Sequence, residues 1–146
     1  MRMETELPPT AHRSVEPTAA QFAALEQLDA DRPVVMLNLV RFRDVADYSD
    51  HPDLAPDAPI SGAEAYKRYG AAAQAALAEI GGSMEHFSTC GPTFIGPAGE
   101  QWDGMMTVRY PSPAAFRAML ENPAYLEAAA HRTAALADSR LIPTYA

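Results

Sequence analysis

Residues 33–42, PVVMLNLVRF, carry branched and apolar side chains at both odd and even positions. A strand sends successive side chains to opposite faces, so a strand apolar at both parities has to be covered on both sides. Pro33 fits only its first position, where no ladder N–H is required. Any fold for this chain must therefore place a central strand between two apolar layers, with Asn38 as the one fully polar side chain inside the apolar run.

The segments around it read as partners. Pro17 suits the first turn of a helix, and Phe22, Leu25 and Leu28 recur at helical spacing up to Asp29, a short amphipathic first helix. Residues 43–59 are rich in Asp and Pro and read as a long acidic surface loop, a solvated flap over the mouth of any pocket. Ser61 with Glu64 forms a capping-box pattern, and Tyr66, Tyr69, Ala73, Leu77 and Ile80 follow at spacings of three and four, which predicts the longest helix. Gly81 and Gly82 stop it. A strand over 83–90, continuing past Gly91-Pro92 to Ile95, is joined by the GPAG turn to a strand over 102–110 opened by Trp102, and the two should pair as an antiparallel hairpin. Ser112-Pro113 opens another helix, Asn122-Pro123 breaks it, and the stretch resumes to Ala137. Residues 139–145 close the chain as a short strand whose Pro143 argues for an edge.

Without the first helix, the order is strand, helix, strand, strand, helix, strand. This is a ferredoxin-like βαββαβ arrangement of the α+β class, with a four-stranded antiparallel sheet and helices on one face. The other face, carrying Leu37 and Leu39, would be left bare, and a homodimer packed sheet against sheet covers it most economically. With 146 residues there is room for one domain, expected over 16–146, preceded by a tail or docking arm over residues 1–15.

Composition removes several function classes. Nineteen acidic against eleven basic residues give a net charge of −8, and the basic residues are scattered, so no nucleic-acid partner is expected. No apolar run approaches the ~18 residues of a membrane span. The amino terminus lacks the apolar core of a signal peptide and the chain has a single cysteine, Cys90, so a reduced, cytoplasmic protein is expected. No Walker lysine, GxGxxG, GxSxG, HExxH or paired-cysteine motif is present. The acids of the 43–59 loop fail the EF-hand spacing, and neither metal nor cofactor is expected.

The segments MLNLVRF, SGAEAYKRYG, IGPAGEQWD, VRYPSPAAFRAM and NPAYLEAAAHRTAALADSRLI together resemble the domain-of-unknown-function 1330 family, from about Val34 to Tyr145. That family looks like a branch of the dimeric α/β-barrel superfamily, which also holds antibiotic-biosynthesis monooxygenases, muconolactone isomerase and chlorite-dismutase-like haem proteins. The resemblance implies the same fold and a dimer. It brings no assigned reaction, because one scaffold serves unrelated chemistries. The first helix and the acidic insertion at 43–59 set this chain apart from shorter members.

Candidate site residues each have a functional and a structural reading. Asn38, buried in a strand, must be hydrogen-bonded, either to a substrate oxygen or to a neighbouring backbone group. Tyr66 and Tyr69 on one face of the long helix, with Trp102, suit a flat apolar ligand, or plain core. Tyr125, Ala128, Arg132 and Leu136 follow a core-facing period, so Arg132 points inward toward an anion: a substrate carboxylate, Asp103, Asp138 or the dimer mate. His131 is placed to move a proton near neutral pH, or to pair with Glu127 on the helix surface. His86, if it faces the pocket with Met84 or Met106, is a pocket-wall residue or a haem ligand, against a structural role.

These residues lead to one expectation: a homodimer holding a small, largely apolar organic molecule between sheet and helices. Asn38 and His131 would be catalytic, and Tyr66, Tyr69, His86, Trp102 and Arg132 would bind substrate, as in a cofactor-independent monooxygenase or isomerase. The alternative is a non-catalytic ligand-binding or regulatory homodimer.

Overall fold

The computed structural model describes residues 13–145. The expected central strand is β1 (Val34–Phe42), and it pairs antiparallel with β3 (Gly104–Tyr110) on one side and β4 (Leu136–Thr144) on the other. With β2 (Ser83–Thr89) outside β3, the sheet order is β2-β3-β1-β4 and every neighbouring pair is antiparallel. This is the ferredoxin-like topology. β4 is an edge strand, where the N–H that Pro143 lacks is not missed.

The helices begin where their caps lie. Ser61 Oγ accepts from the Glu64 amide at the start of α2 (Gly62–Glu79), and Ser112 Oγ accepts from Ala115 ahead of α3 (Pro113–Leu120). Asn122 Oδ1 accepts from Ala124 and starts α4 (Pro123–Ala135), so the Asn-Pro break makes two helices. The first helix, α1 (Ala19–Leu25), is shorter than the periodicity predicts, because its cap is Thr18, in a reciprocal capping box with Gln21. α2 ends at Gly81, which takes the left-handed conformation. Among the described residues no helix is long and apolar enough to cross a membrane.

Helices α2 and α4 cover the face of β1 that carries Val34, Met36, Asn38 and Val40, and there Val34, Met36, Val40, Ala65, Ala134 and Leu136 are buried. The opposite face presents Leu37 between Thr107 and Ile142, and Leu39 between Met105 and Arg140. Two details depart from the sequence reading. The hairpin does not run on to Ile95: residues 90–103 form a connection whose Phe94 and Ile95 are 97% and 87% exposed. The 43–59 loop, with a 3₁₀ turn at Pro52–Leu54, is tied down by Asp47 N–H to Ala134 O (2.9 Å) and by Tyr48, which is buried. Of the stretch 1–15, residues 1–12 lie outside the described residues, while 13–16 dock across the junction of α4 and β4. Ser14 N–H donates to Asp138, the Ser139 hydroxyl donates to Ser14 O, and Val15 enters the core.

Candidate functional site

Between the helices and the inner sheet face lies an open cavity of about 1530 Å³. β1 and β3 contribute Met36, Asn38, Met106, Val108 and Tyr110 to it, because even positions of both strands face the helices. α2 contributes Tyr66, Tyr69, Gly70 and Ala73 at the spacing that keeps one helical face together, and α4 contributes Tyr125, Ala129 and Arg132. Met84, Leu126, Leu141 and Phe22, each partly exposed, line the same space.

An aromatic ladder crosses the cavity wall: Phe42–Tyr66, Tyr66–Tyr69 and Tyr69–Tyr125, with ring centroids 5.4, 5.2 and 6.1 Å apart. The Tyr69 and Tyr125 hydroxyls are hydrogen-bonded at 2.9 Å, and the Tyr66 hydroxyl donates to the Met106 sulfur at 3.5 Å. Burial raises the pKa of the Tyr66 phenol to about 12, with the Arg132 charge opposing and the neighbouring Tyr125 adding to the rise. Burial raises Tyr69 well above the ordinary phenol value, and Tyr110 likewise. At neutral pH these groups are protonated donors.

Asn38 faces the cavity, and its amide nitrogen donates to Met36 O (3.2 Å) within its own strand. Arg132 does point inward. Its guanidinium donates to Val15 O (2.8 Å) and to Ser139 Oγ (3.4 Å), both neutral acceptors. The carboxylates considered as partners are engaged elsewhere: Asp103 accepts from the Phe42 amide, and Asp138 pairs with Arg140 at 2.8 Å.

Four of the expected site residues thus come together in one cavity: Asn38, Tyr66, Tyr69 and Arg132. Three do not. His131 lies on the flank of α4, where its Nδ1 is hydrogen-bonded to the Tyr48 hydroxyl (2.7 Å) from the 43–59 loop. Burial and the Arg68 charge lower its pKa, with Glu127 opposing. His86 is turned to the outer sheet face by a bulge at Glu85, which pairs Met84 with Val108 but His86 with Thr107. One extra residue in a strand exchanges the faces that follow it. Trp102 precedes β3 and sits under the Arg140 guanidinium, 5.1 Å from its ring centroid, away from the cavity. The 43–59 loop does not cover the mouth either, since the residues it spans line a separate shallow depression.

Sequence reasoning passed over four contributors. Tyr125 was legible from its core-facing period. Tyr110, the last residue of β3, carried only its strand parity. Arg13 reaches Leu136 O and Ser139 reaches Ser14 O, each across more than a hundred residues of chain, which no local pattern signals.

Comparisons with known proteins follow the same lines. The family model for a domain of unknown function (DUF1330) matches residues 57–145. The methylated RPA0582 protein is similar to this chain at 38% identity and a TM-score of 0.83, over 92% of this chain and 96% of that one. A second structure of RPA0582, described as a protein of unknown function from Rhodopseudomonas palustris, gives 38% identity and a TM-score of 0.82, over 92% and 97%. No curated protein matches the chain.

Proposed function

The chain belongs to the DUF1330 family, and from that footing we propose that it is a ligand-binding homodimer that holds a small, largely apolar organic molecule in the cavity of each subunit. The observation that carries this reading is the cavity itself: about 1530 Å³ with mostly aliphatic, methionine and aromatic walls, and a few polar groups gathered at Asn38, Tyr66, Tyr69 and Arg132. Apolar walls with a small convergent polar set are the usual makeup of an organic-ligand site.

Binding is favoured over a proton-transfer reaction because the imidazole expected to serve as base is engaged with Tyr48 outside the cavity. The phenols lining the cavity hold their protons firmly, whereas a general base should have a pKa near the operating pH. The dimer is supported by the uncovered apolar face around Leu37, Leu39, Met105 and Ile142.

Gly70 supplies the test. It lines the cavity, and a Cβ built on it meets nothing within 4 Å. Titration with N-phenyl-1-naphthylamine should give saturable fluorescence at one site per chain. Gly70→Trp, filling that space, should weaken binding at least tenfold with the circular dichroism of the fold unchanged. Equal binding by the folded variant, or no saturable binding by the wild type, contradicts the proposal.

A further inference from the structure

The polar groups of the cavity are donors with few acceptors to serve. A guanidinium carries five N–H groups. That of Arg132 uses a backbone carbonyl and a serine hydroxyl, and among the described residues no carboxylate pairs with it. Arg13, also on the cavity wall, donates to Leu136 O, but its buried Nε has no partner among those residues. The Tyr66 hydroxyl is spent on a thioether sulfur, a weak acceptor. In the Tyr69–Tyr125 hydrogen bond one phenol donates, so the other phenol's hydrogen remains available.

Charge runs the same way. The protein has a net charge of −8, yet the charged residues described on the cavity wall are Arg13, Arg132, Arg140 and a single acid, Glu16. Arg140 is turned to Asp138, and Glu16 accepts from the Thr133 hydroxyl. The Arg132 guanidinium therefore borders an apolar cavity in an acidic protein with no carboxylate paired to it among the described residues, whereas the Arg13 charge is felt by Asp47. Arg132 is half-buried, a position where an opposite charge is favourable, and arginine binds a carboxylate through two parallel hydrogen bonds.

We infer that the ligand is an organic carboxylate, its anionic head at Arg132 between the Tyr66 and Tyr69–Tyr125 hydroxyls and its apolar body against Met36, Met106 and Val108. This rests on the cavity being a ligand site and specifies what that site selects.

The test compares 4-phenylbutanoate with 4-phenyl-1-butanol, the same body with and without the charge, by isothermal titration calorimetry on the full-length protein. The carboxylate should bind at one site per chain and at least tenfold more tightly than the alcohol. Arg132→Met should bring the carboxylate down to the level of the alcohol, and Arg132→Lys should keep part of the preference. If Arg132→Met does not fold, the wild-type ligand pair and Arg132→Lys carry the comparison. Equal affinities for acid and alcohol, or binding of N-phenyl-1-naphthylamine with neither, overturn the carboxylate assignment and leave the cavity as a ligand site. Failure of all three compounds to bind removes the ligand site and this inference together.

Discussion

Gly62 shows how one side chain's absence shapes the molecule. Its amide donates to Arg43 O, whose own amide donates to Ala135 O, so the starts of α2 and β4 and the end of β1 converge on one point. A Cβ on Gly62 would lie 2.6 Å from Ala135 O and closer still to Arg43 O, both backbone atoms that cannot swing away. Gly62→Ala should therefore destabilise the fold by about 1–3 kcal/mol, the range of overpacked interiors, although alanine is the better helix former. A lower urea midpoint at unchanged slope is the expected result. At this scale the sequence was partly legible: Ser61 could be recognised as a cap, while the crowding around Gly62 depends on chain far away. Asn38, Tyr66, Tyr69 and Arg132 share one cavity because strand parity and helical period bring them to one face. His86 was misplaced because Glu85 looks like any other strand residue until the pairing is known.

Among elements, the contact that sequence reasoning lacked is that of the 43–59 loop with α4. The Tyr48 hydroxyl is hydrogen-bonded to His131 Nδ1, and Asp47 N–H is held by Ala134 O. Burial and Arg68 keep His131 below its ordinary value of 6.5, with Glu127 opposing. The folded chain thus favours neutral histidine, and the unfolded chain takes up the proton first as pH falls. This stabilisation is complete above about pH 6.5 and is lost as pH drops through the folded value. Urea midpoints between pH 8 and 5 should decline more steeply for the wild type than for His131→Gln, and parallel profiles would contradict the latch. Asp47, held below its ordinary 3.8 by hydrogen bonds from Ser49, loses its contribution only in more acid solution, so the two effects separate. The caps at Ser61 and Ser112 made α2 and α3 readable, and the Asn122-Pro123 break marked where the stretch that forms α4 resumes. Docking of the loop was not, since its acidic, proline-rich composition is that of an exposed segment.

Over the whole molecule, the order of elements was enough to derive the ferredoxin-like sheet, because few topologies join a doubly covered strand to two βα units. The same reasoning assigns the outer face. Leu37, Leu39, Met105 and Ile142 form an apolar centre bordered by His86, Arg109, Arg140 and Thr144 in the pairing register. A stable interface buries on the order of 800 Å² per partner, a scale suited to one face of such a sheet. Light scattering at micromolar concentration should give twice the chain mass of 15.7 kDa for the wild type and the single mass for Leu39→Asp. A wild-type monomer would contradict the sheet-on-sheet dimer.

The central claim is that an organic molecule occupies the space between sheet and helices, and the most direct measurement is amide and methyl NMR of the protein titrated with N-phenyl-1-naphthylamine. The expected result is a saturable set of shifts at Met36, Asn38, Tyr69, Ala73, Met106 and Arg132, with Leu37, Leu39 and His86 unmoved. Shifts centred on the outer face, or a spectrum that does not change, would contradict it.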